Sequence, residues 1–284
     1  MNQEPRRIWL VVNARAGSND ETAIERLKDA CAANGFTIDR QIDFPDDNAP
    51  IPAALDDARI DTVAIYTGDG SLSFCLSQLD GWDGQVLVLP GGTMNLLCKR
   101  LHGDVDQEEI LRRAGTGAMR KVRPSIVRSG HGNAYSTILI GPGTLWAEVR
   151  EAMRGMEVLE TVKLAQEATA ETATGSRITV IEPVLGRREG YALMEIAAGE
   201  WGLQVDAYDS QTPGDYLQQT WALLRRSFRE GPHERLGMVD ELVCENVEDE
   251  PIEMLIDGEP FSGDARETYT MAQAGVDLLA SEHG

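Results

Sequence analysis

The 284-residue sequence is short of cysteine, of positive charge and of long apolar runs. Its four cysteines, Cys31, Cys75, Cys98 and Cys244, are widely scattered, with no C-x-x-C pair and no histidine at ligand spacing, which argues against a disulfide framework and a structural zinc site. The four histidines, His102, His131, His233 and His283, form no triad or ligand pattern. With 26 Lys and Arg against 47 Asp and Glu, the net charge is -21. Such a chain is a poor ligand for duplex nucleic acid, whose affinity comes largely from basic side chains neutralising phosphates. No apolar run approaches the roughly 20 residues of a membrane helix. Arg6 and Arg7 precede Ile8 to Val12, but Asn13 ends that run short of the ~7 to 15 apolar residues of a signal peptide. A cytoplasmic protein is the expectation. Neither G-x-x-x-x-G-K-[ST] nor G-x-G-x-x-G with a downstream acid occurs, so a P-loop and a dinucleotide-binding Rossmann site are both disfavoured.

What is present is globular: 42% apolar and 26% charged residues, in a chain long enough for two domains. Acidity is uneven, with a formal charge of -4 over residues 1–128 and -17 over residues 129–284. The asymmetry fits two domains with different tasks and disfavours broad contact of the second half with an anionic membrane. An acidic face that only confers solubility explains it equally well.

Residues 8–100 alternate strand and helix signals. Ile8 to Val12 and Thr37 to Ile42 read as strands, and Glu21 to Ala33 and Ile51 to Ala58 as helices. Ile24, Leu27 and Cys31 mark a buried helical face, and Asn34-Gly35 is its stop. Asp61 to Tyr66 and Gln85 to Leu89 are further buried-strand runs. This alternation predicts a doubly wound parallel sheet, with ligands outside the carboxyl ends of the strands. Beyond about residue 128 strand-like runs dominate: Tyr135 to Ile140, Arg177 to Ile181, Ala192 to Ala197, Met238 to Cys244 and Glu253 to Ile256. Thr212-Pro213 opens a helix whose stripe of Tyr216, Leu217, Trp221, Leu224 and Phe228 is expected to pack on them. Ala165 to Thr174 reads as a surface helix or a connection. The domain division is 1–128 and 129–284, with the C-terminal segment free to return to the first domain.

Two glycine-rich turns follow the two buried strands: Thr67-Gly68-Asp69-Gly70-Ser71 and Pro90-Gly91-Gly92-Thr93-Met94-Asn95. Glycine at a strand end lets backbone amides approach a phosphate, and the next helix adds its dipole. Ser71 and Thr93 fit as N-caps. Asp69 would repel a phosphate unless a cation intervened, so it reads either as a magnesium ligand or as the hinge of an Asx-type turn. Asn13-Ala14-Arg15-Ala16-Gly17-Ser18 is a third loop at a strand end, where Arg15 offers a phosphate fork. Lys99 and Arg100 reach for phosphate, for a headgroup or only for solvent. Asp257-Gly258 by itself reads as a hairpin turn.

In order and spacing, Asn13 to Gly17, Thr67 to Ser71, Pro90 to Asn95 and Ile256-Asp257-Gly258-Glu259 resemble the Asn-Pro-x-x-Gly, Gly-Gly-Asp-Gly-Thr, Pro-x-Gly-Thr-x-Asn-Asp and Asp-Gly-Glu motifs of the diacylglycerol kinase catalytic family, which includes sphingosine kinases. The resemblance implies an ATP-binding α/β N-terminal domain like that of NAD kinases and phosphofructokinases, and a mainly β-sandwich domain that receives a lipid. It implies that Asn13, Arg15, Gly17, Thr67, Gly68, Asp69, Gly70, Ser71, Gly91, Gly92, Thr93 and Asn95 line ATP, with Asp69 towards Mg²⁺. It also implies that Asp257 is the base for the lipid hydroxyl and that Glu259 supports it. The expected reaction transfers the γ-phosphate of ATP to diacylglycerol, a sphingoid base or a related lipid, through transient contact with a membrane surface. A symmetric homodimer is allowed.

Thr67 and Ala14 depart from the pattern. So do Leu96, where the family has aspartate, and Arg123, where it has a Val-Asp pair. Arg123 reads either as positive charge near the nucleotide or as part of a solvated basic stripe. Two alternatives follow: an NAD kinase, which the absence of an Asn-Glu segment after the Gly-Asp-Gly loop disfavours, and a catalytically weakened nucleotide- or lipid-binding protein.

Overall fold

A computed structural model describes residues 5–13, 21–145, 176–208 and 234–281. The expected helix over Thr212 to Phe228, the segment Ala165 to Thr174, and the site residues Arg15 and Gly17 lie outside the described residues. The chain divides into one unit of Met1–Pro124 with Gln273–Gly284 and a second of Ser125–Ala272.

The first unit is α/β and built on one six-stranded, mostly parallel sheet. Strands β1 (Arg6–Val12), β2 (Phe36–Asp43), β3 (Thr62–Thr67) and β4 (Gln85–Pro90) alternate with helices α1 (Glu21–Ala33), α2 (Pro52–Ala58) and α3 (Asp69–Gln78). Two further helices, α4 (Leu96–His102) and α5 (Gln107–Thr116), precede the short strand β5 (Met119–Val122). The sheet order is β2-β1-β3-β4-β18-β5, where β18 (Asp277–Ser281) is the last described strand. Strand β18 runs parallel to β4 and antiparallel to β5. Ile8 to Val12 and Val86 to Leu89 are buried on both faces, as the uninterrupted Val, Ile and Leu runs require of a covered parallel sheet. Ile24, Leu27 and Cys31 are the buried face of α1, and Gly35 leaves the helix at φ +80. Val12 pairs with Asp43 and Tyr66, and Thr67 with Pro90, so these carboxyl ends share one edge of the sheet.

The second unit is strand-rich and antiparallel. Its strands are β6 (Ser125–Ser129), β7 (Gly132–Ala134), β8 (Thr137–Ile140), β9 (Ile178–Glu182), β10 (Val184–Leu185), β11 (Leu193–Ala198), β12 (Leu203–Tyr208), β13 (Glu234–Val239), β14 (Glu241–Asn246), β15 (Glu253–Ile256), β16 (Glu259–Ser262) and β17 (Arg266–Gln273). They form two six-stranded sheets, β10-β9-β14-β17-β6-β7 and β13-β12-β11-β8-β15-β16. Side chains of both, among them Val127, Ile138, Ile196, Val205, Leu242 and Tyr269, share one apolar core.

Two expected strands differ from the observed ones. Tyr135 to Ile140 is shortened, because Tyr135 and Ser136 turn their amides onto the Asp257 carboxylate and β8 begins only at Thr137. Met238 to Cys244 splits at Asp240, where the chain passes from one sheet to the other: β13 pairs with β12 and β14 with β17. Among the described residues no helix is long and apolar enough to cross a membrane. All four cysteines are buried thiols. Burial alone pushes Cys31 up to about 11 and Cys75 up to about 12, outside the range of a reactive nucleophile.

Candidate functional site

Among the described residues, the expected nucleotide residues of the first unit come together at the carboxyl edge of β1, β3 and β4. Thr67 ends β3, Gly68 precedes α3, and Pro90 ends β4, with the second glycine turn following it. Asn13, directly after β1, donates from Nδ2 to Ser71 Oγ at 3.1 Å and so ties the first strand end to the first turn of α3.

The glycines are required by the packing of one turn on the other. A Cβ on Gly91 would lie 2.4 Å from the Tyr66 carbonyl carbon and 2.5 Å from the Thr67 nitrogen, and one on Gly92 would lie 2.6 Å from Gly68 Cα. Those contacts are with backbone, which has no rotamer to yield. Asn95 closes its own turn in both directions: Oδ1 accepts from Gly92 N and Nδ2 donates to Gly92 O, each at 2.7 Å. Asp69 joins the two turns, because its Oδ1 accepts from Leu96 N, the first residue of α4, at 2.9 Å. The carboxylate thereby supplies a partner to a helix N-terminal amide and sits favourably in the dipoles of α3 and α4. This bond is a third use of Asp69 beside the two roles its sequence position suggests.

Both expected N-caps are displaced. Helix α3 starts at Asp69 with Gly68 as N-cap, because Leu72 N already donates to Gly68 O at 2.9 Å, so Ser71 lies inside the first turn. Helix α4 starts at Leu96 with Asn95 as N-cap in the left-handed region, at φ 52, and Thr93 is an exposed residue of the turn before it. Thr67 is buried and donates its hydroxyl to Gly68 O at 3.2 Å. Gly68, Asp69, Gly70, Ser71, Gly92 and Asn95 are half-buried, which leaves them within reach of a ligand.

The departures from the family pattern also have places. Leu96 is buried in the packing of α4. Arg123 Nε donates to Asp277 Oδ1 at 2.7 Å, and Lys121 Nζ lies 3.9 Å from Oδ2 of the same carboxylate. The pair joins the segment after β5 to β18, a structural task for Arg123. Lys99 lies 3.9 Å from Asp104, half exposed.

Among the described residues no group of three or more His, Cys, Asp or Glu side chains is placed to hold a metal ion, and Asp69 brings one carboxylate, with Oδ1 engaged by Leu96 N. Magnesium does need only one or two protein carboxylates when phosphates and water complete its shell.

In the second unit Asp257 and Gly258 form the two-residue link between β15 and β16, with Ile256 paired to Glu259 and φ values of 49 and 92. Positive φ at both positions marks a type I′ hairpin. Asp257 is nonetheless buried, 6% exposed. Its Oδ2 accepts from Tyr135 N at 2.7 Å, and its Oδ1 from Ser136 N at 2.8 Å and Thr137 N at 3.1 Å. Three amides fix this carboxylate in place. Glu259 opens an exposed strand. The Asn95 clamp, the bond from Asp69 to Leu96 and the Tyr135 to Thr137 amide cradle were not anticipated. Of these only the clamp leaves a local trace, an Asn closing a Gly-Gly turn.

Residues 7–127 match the family model of the diacylglycerol kinase catalytic domain. No curated protein matches the chain. Among solved structures, that of a diacylglycerol kinase from Bacillus anthracis str. Sterne aligns at TM-score 0.62 and 12% identity, covering 100% of this chain and 99% of that one. A candidate diacylglycerol kinase from the same organism aligns at TM-score 0.60 and 15% identity, over 100% and 99%. At these identities the structures establish likeness of fold.

Proposed function

We propose that the chain, whose residues 7–127 match the family model of the diacylglycerol kinase catalytic domain, is an ATP-dependent lipid kinase, transferring the γ-phosphate to the hydroxyl of diacylglycerol, a sphingoid base or a related lipid. The observation that carries the reading is the pair of glycine turns held backbone to backbone at one sheet edge, with Gly92 against Gly68 and Asp69 bonded to Leu96 N. Phosphoryl transfer asks a protein mainly for fixed positions and placed charge. In this reading the first amides of α3 and the Ser71 hydroxyl receive phosphate oxygens, Asn13 orients that hydroxyl, and Asn95 keeps the second turn in shape. Magnesium is expected to arrive with the nucleotide's phosphates, and no step here depends on a protein-held ion.

Asp257 acts on the acceptor. A carboxylate held by three backbone amides is well oriented, so its contribution is to align the lipid hydroxyl and receive its proton late in the transfer. The acceptor has no residue-level signature in the described strands. The strongly acidic second half favours a neutral or amino-bearing lipid over a highly anionic one, by steering.

One observation favours a second reading. Where the family carries carboxylates, Leu96 is buried and Arg123 is engaged by Asp277. That is compatible with a protein that binds nucleotide or lipid and turns over weakly. Incubating the purified chain with γ-labelled ATP, magnesium and vesicles carrying a panel of lipid alcohols separates the two. Label in an extracted lipid supports the kinase; ATP binding without label in any lipid supports the second reading; neither binding nor transfer removes both.

A further inference from the structure

The nucleotide site described above accounts for phosphates and leaves one neighbouring feature unused, an aromatic stack at the same sheet edge. Phe44 directly follows β2, and its N–H donates to Val12 O at 2.9 Å, which sets it beside the end of β1 and next to Asn13. Phe74 stands on α3 three residues after Ser71, on the same side of the helix, and Ser71 in turn holds Asn13. The two rings stack at 5.4 Å between centroids and 28° between planes. Phe44 is half-buried, whereas Phe74 is 49% exposed and keeps much of its surface in water.

Exposed apolar side chains are common on protein surfaces and mean little singly. This one differs in being stacked on a second ring, beside the two glycine turns. The strand order β2-β1-β3 separates the Phe44 end from the Gly68 turn by two strand spacings, about 10 Å. That span suits a nucleoside whose phosphates lie at the start of α3 and whose base lies toward β2. We propose that Phe74, backed by Phe44, is the stacking platform for the purine base of the nucleotide. The inference rests on the ATP reading and adds the residue that recognises the base. Stacking needs a π-face and a dry backing, and Phe44 supplies the second.

The test is calorimetric titration of the wild type, Phe74→Ala and Phe74→Tyr with ATP and, by competition, with inorganic tripolyphosphate, which has no base. Loss of one stacked ring weakens ATP about 5- to 150-fold. The platform predicts that loss in Phe74→Ala, near wild-type ATP affinity in Phe74→Tyr, and unchanged tripolyphosphate competition in both. Wild-type ATP affinity in Phe74→Ala would overturn the platform and leave the kinase reading standing. An equal loss for ATP and tripolyphosphate would also overturn it, since the substitution would then act through the phosphate turns. Failure of the wild type to bind ATP would overturn both.

Discussion

Replacing Gly92 by alanine is expected to disrupt the glycine-turn assembly, while the same change at Gly68 is not. At Gly92 the new Cβ would lie 2.6 Å from Gly68 Cα, at least 0.8 Å inside an ordinary 3.4 Å contact, and the φ of Gly92 is outside the left-handed region, so the penalty is steric. Relief requires one turn to move by the better part of an ångström. Overpacking of this kind costs about 1–3 kcal/mol, or roughly 2 to 12 °C of melting temperature in a chain of this size. At Gly68 the nearest heavy atom to an added Cβ is Gly92 Cα at 3.9 Å, an ordinary contact, and its φ of -72 is open to any L-residue. Thermal melts of the wild type and both variants, with ATP titrations on the same preparations, check the asymmetry. Gly92→Ala should melt earlier and lose ATP affinity, whereas Gly68→Ala should melt within a degree or two of the wild type. Equal melting of all three proteins would refute the claim that the turns are packed as described.

Other perturbations have defined outcomes. Asp69→Asn keeps an oxygen for Leu96 N and should lose only the ~0.3–1 kcal/mol of its charge in the helix dipoles, while Asp69→Ala should lose about 1 kcal/mol more, the usual worth of a cap; equal stability of the two would dissociate Asp69 from α4. His102 is buried, and burial together with Arg113 pushes its pKa down from 6.5 to about 4. Above pH 6.5 the group is neutral folded and unfolded and has no effect; as pH falls toward 4 only the unfolded chain takes the proton, so stability declines by up to about 3 kcal/mol. Denaturation midpoints at pH 7 and 5 should show a fall that is smaller in His102→Leu. Arg123→Ala breaks a partly exposed pair and should cost no more than about 1 kcal/mol with ATP affinity unchanged; a large loss of affinity would restore a nucleotide role for Arg123.

The first unit was legible because its strands are buried on both faces and its helices show one apolar stripe, so Val63 to Tyr66 and Val86 to Leu89 stand out between turns without any knowledge of partners. What was misread depended on partners distant in sequence. Ser71 and Thr93 have the side chains of N-caps, yet α3 begins at Asp69 and α4 at Leu96, because Gly68 O takes the first helical bond and Asp69 takes Leu96 N. Tyr135 to Ile140 has the composition of one strand, and the Asp257 carboxylate, about 120 residues away, takes its first two amides out of it. Asp240 divides Met238 to Cys244 by a change of sheet that period-two patterning does not encode. In sequence the glycine turns mark places where amides approach phosphate. The structure adds a separate reason for Gly91 and Gly92, the backbone that lies against them.

For the proposed reaction the most direct measurement compares the wild type with Asp257→Asn for label transfer from γ-labelled ATP to lipid, with ATP affinity determined on the same samples. Asparagine preserves size and one acceptor oxygen but removes the charge held by Tyr135, Ser136 and Thr137. The expected result is transfer by the wild type and none by the variant at equal ATP affinity. Equal transfer by the variant, or none by the wild type on any lipid, would contradict a kinase that works through Asp257.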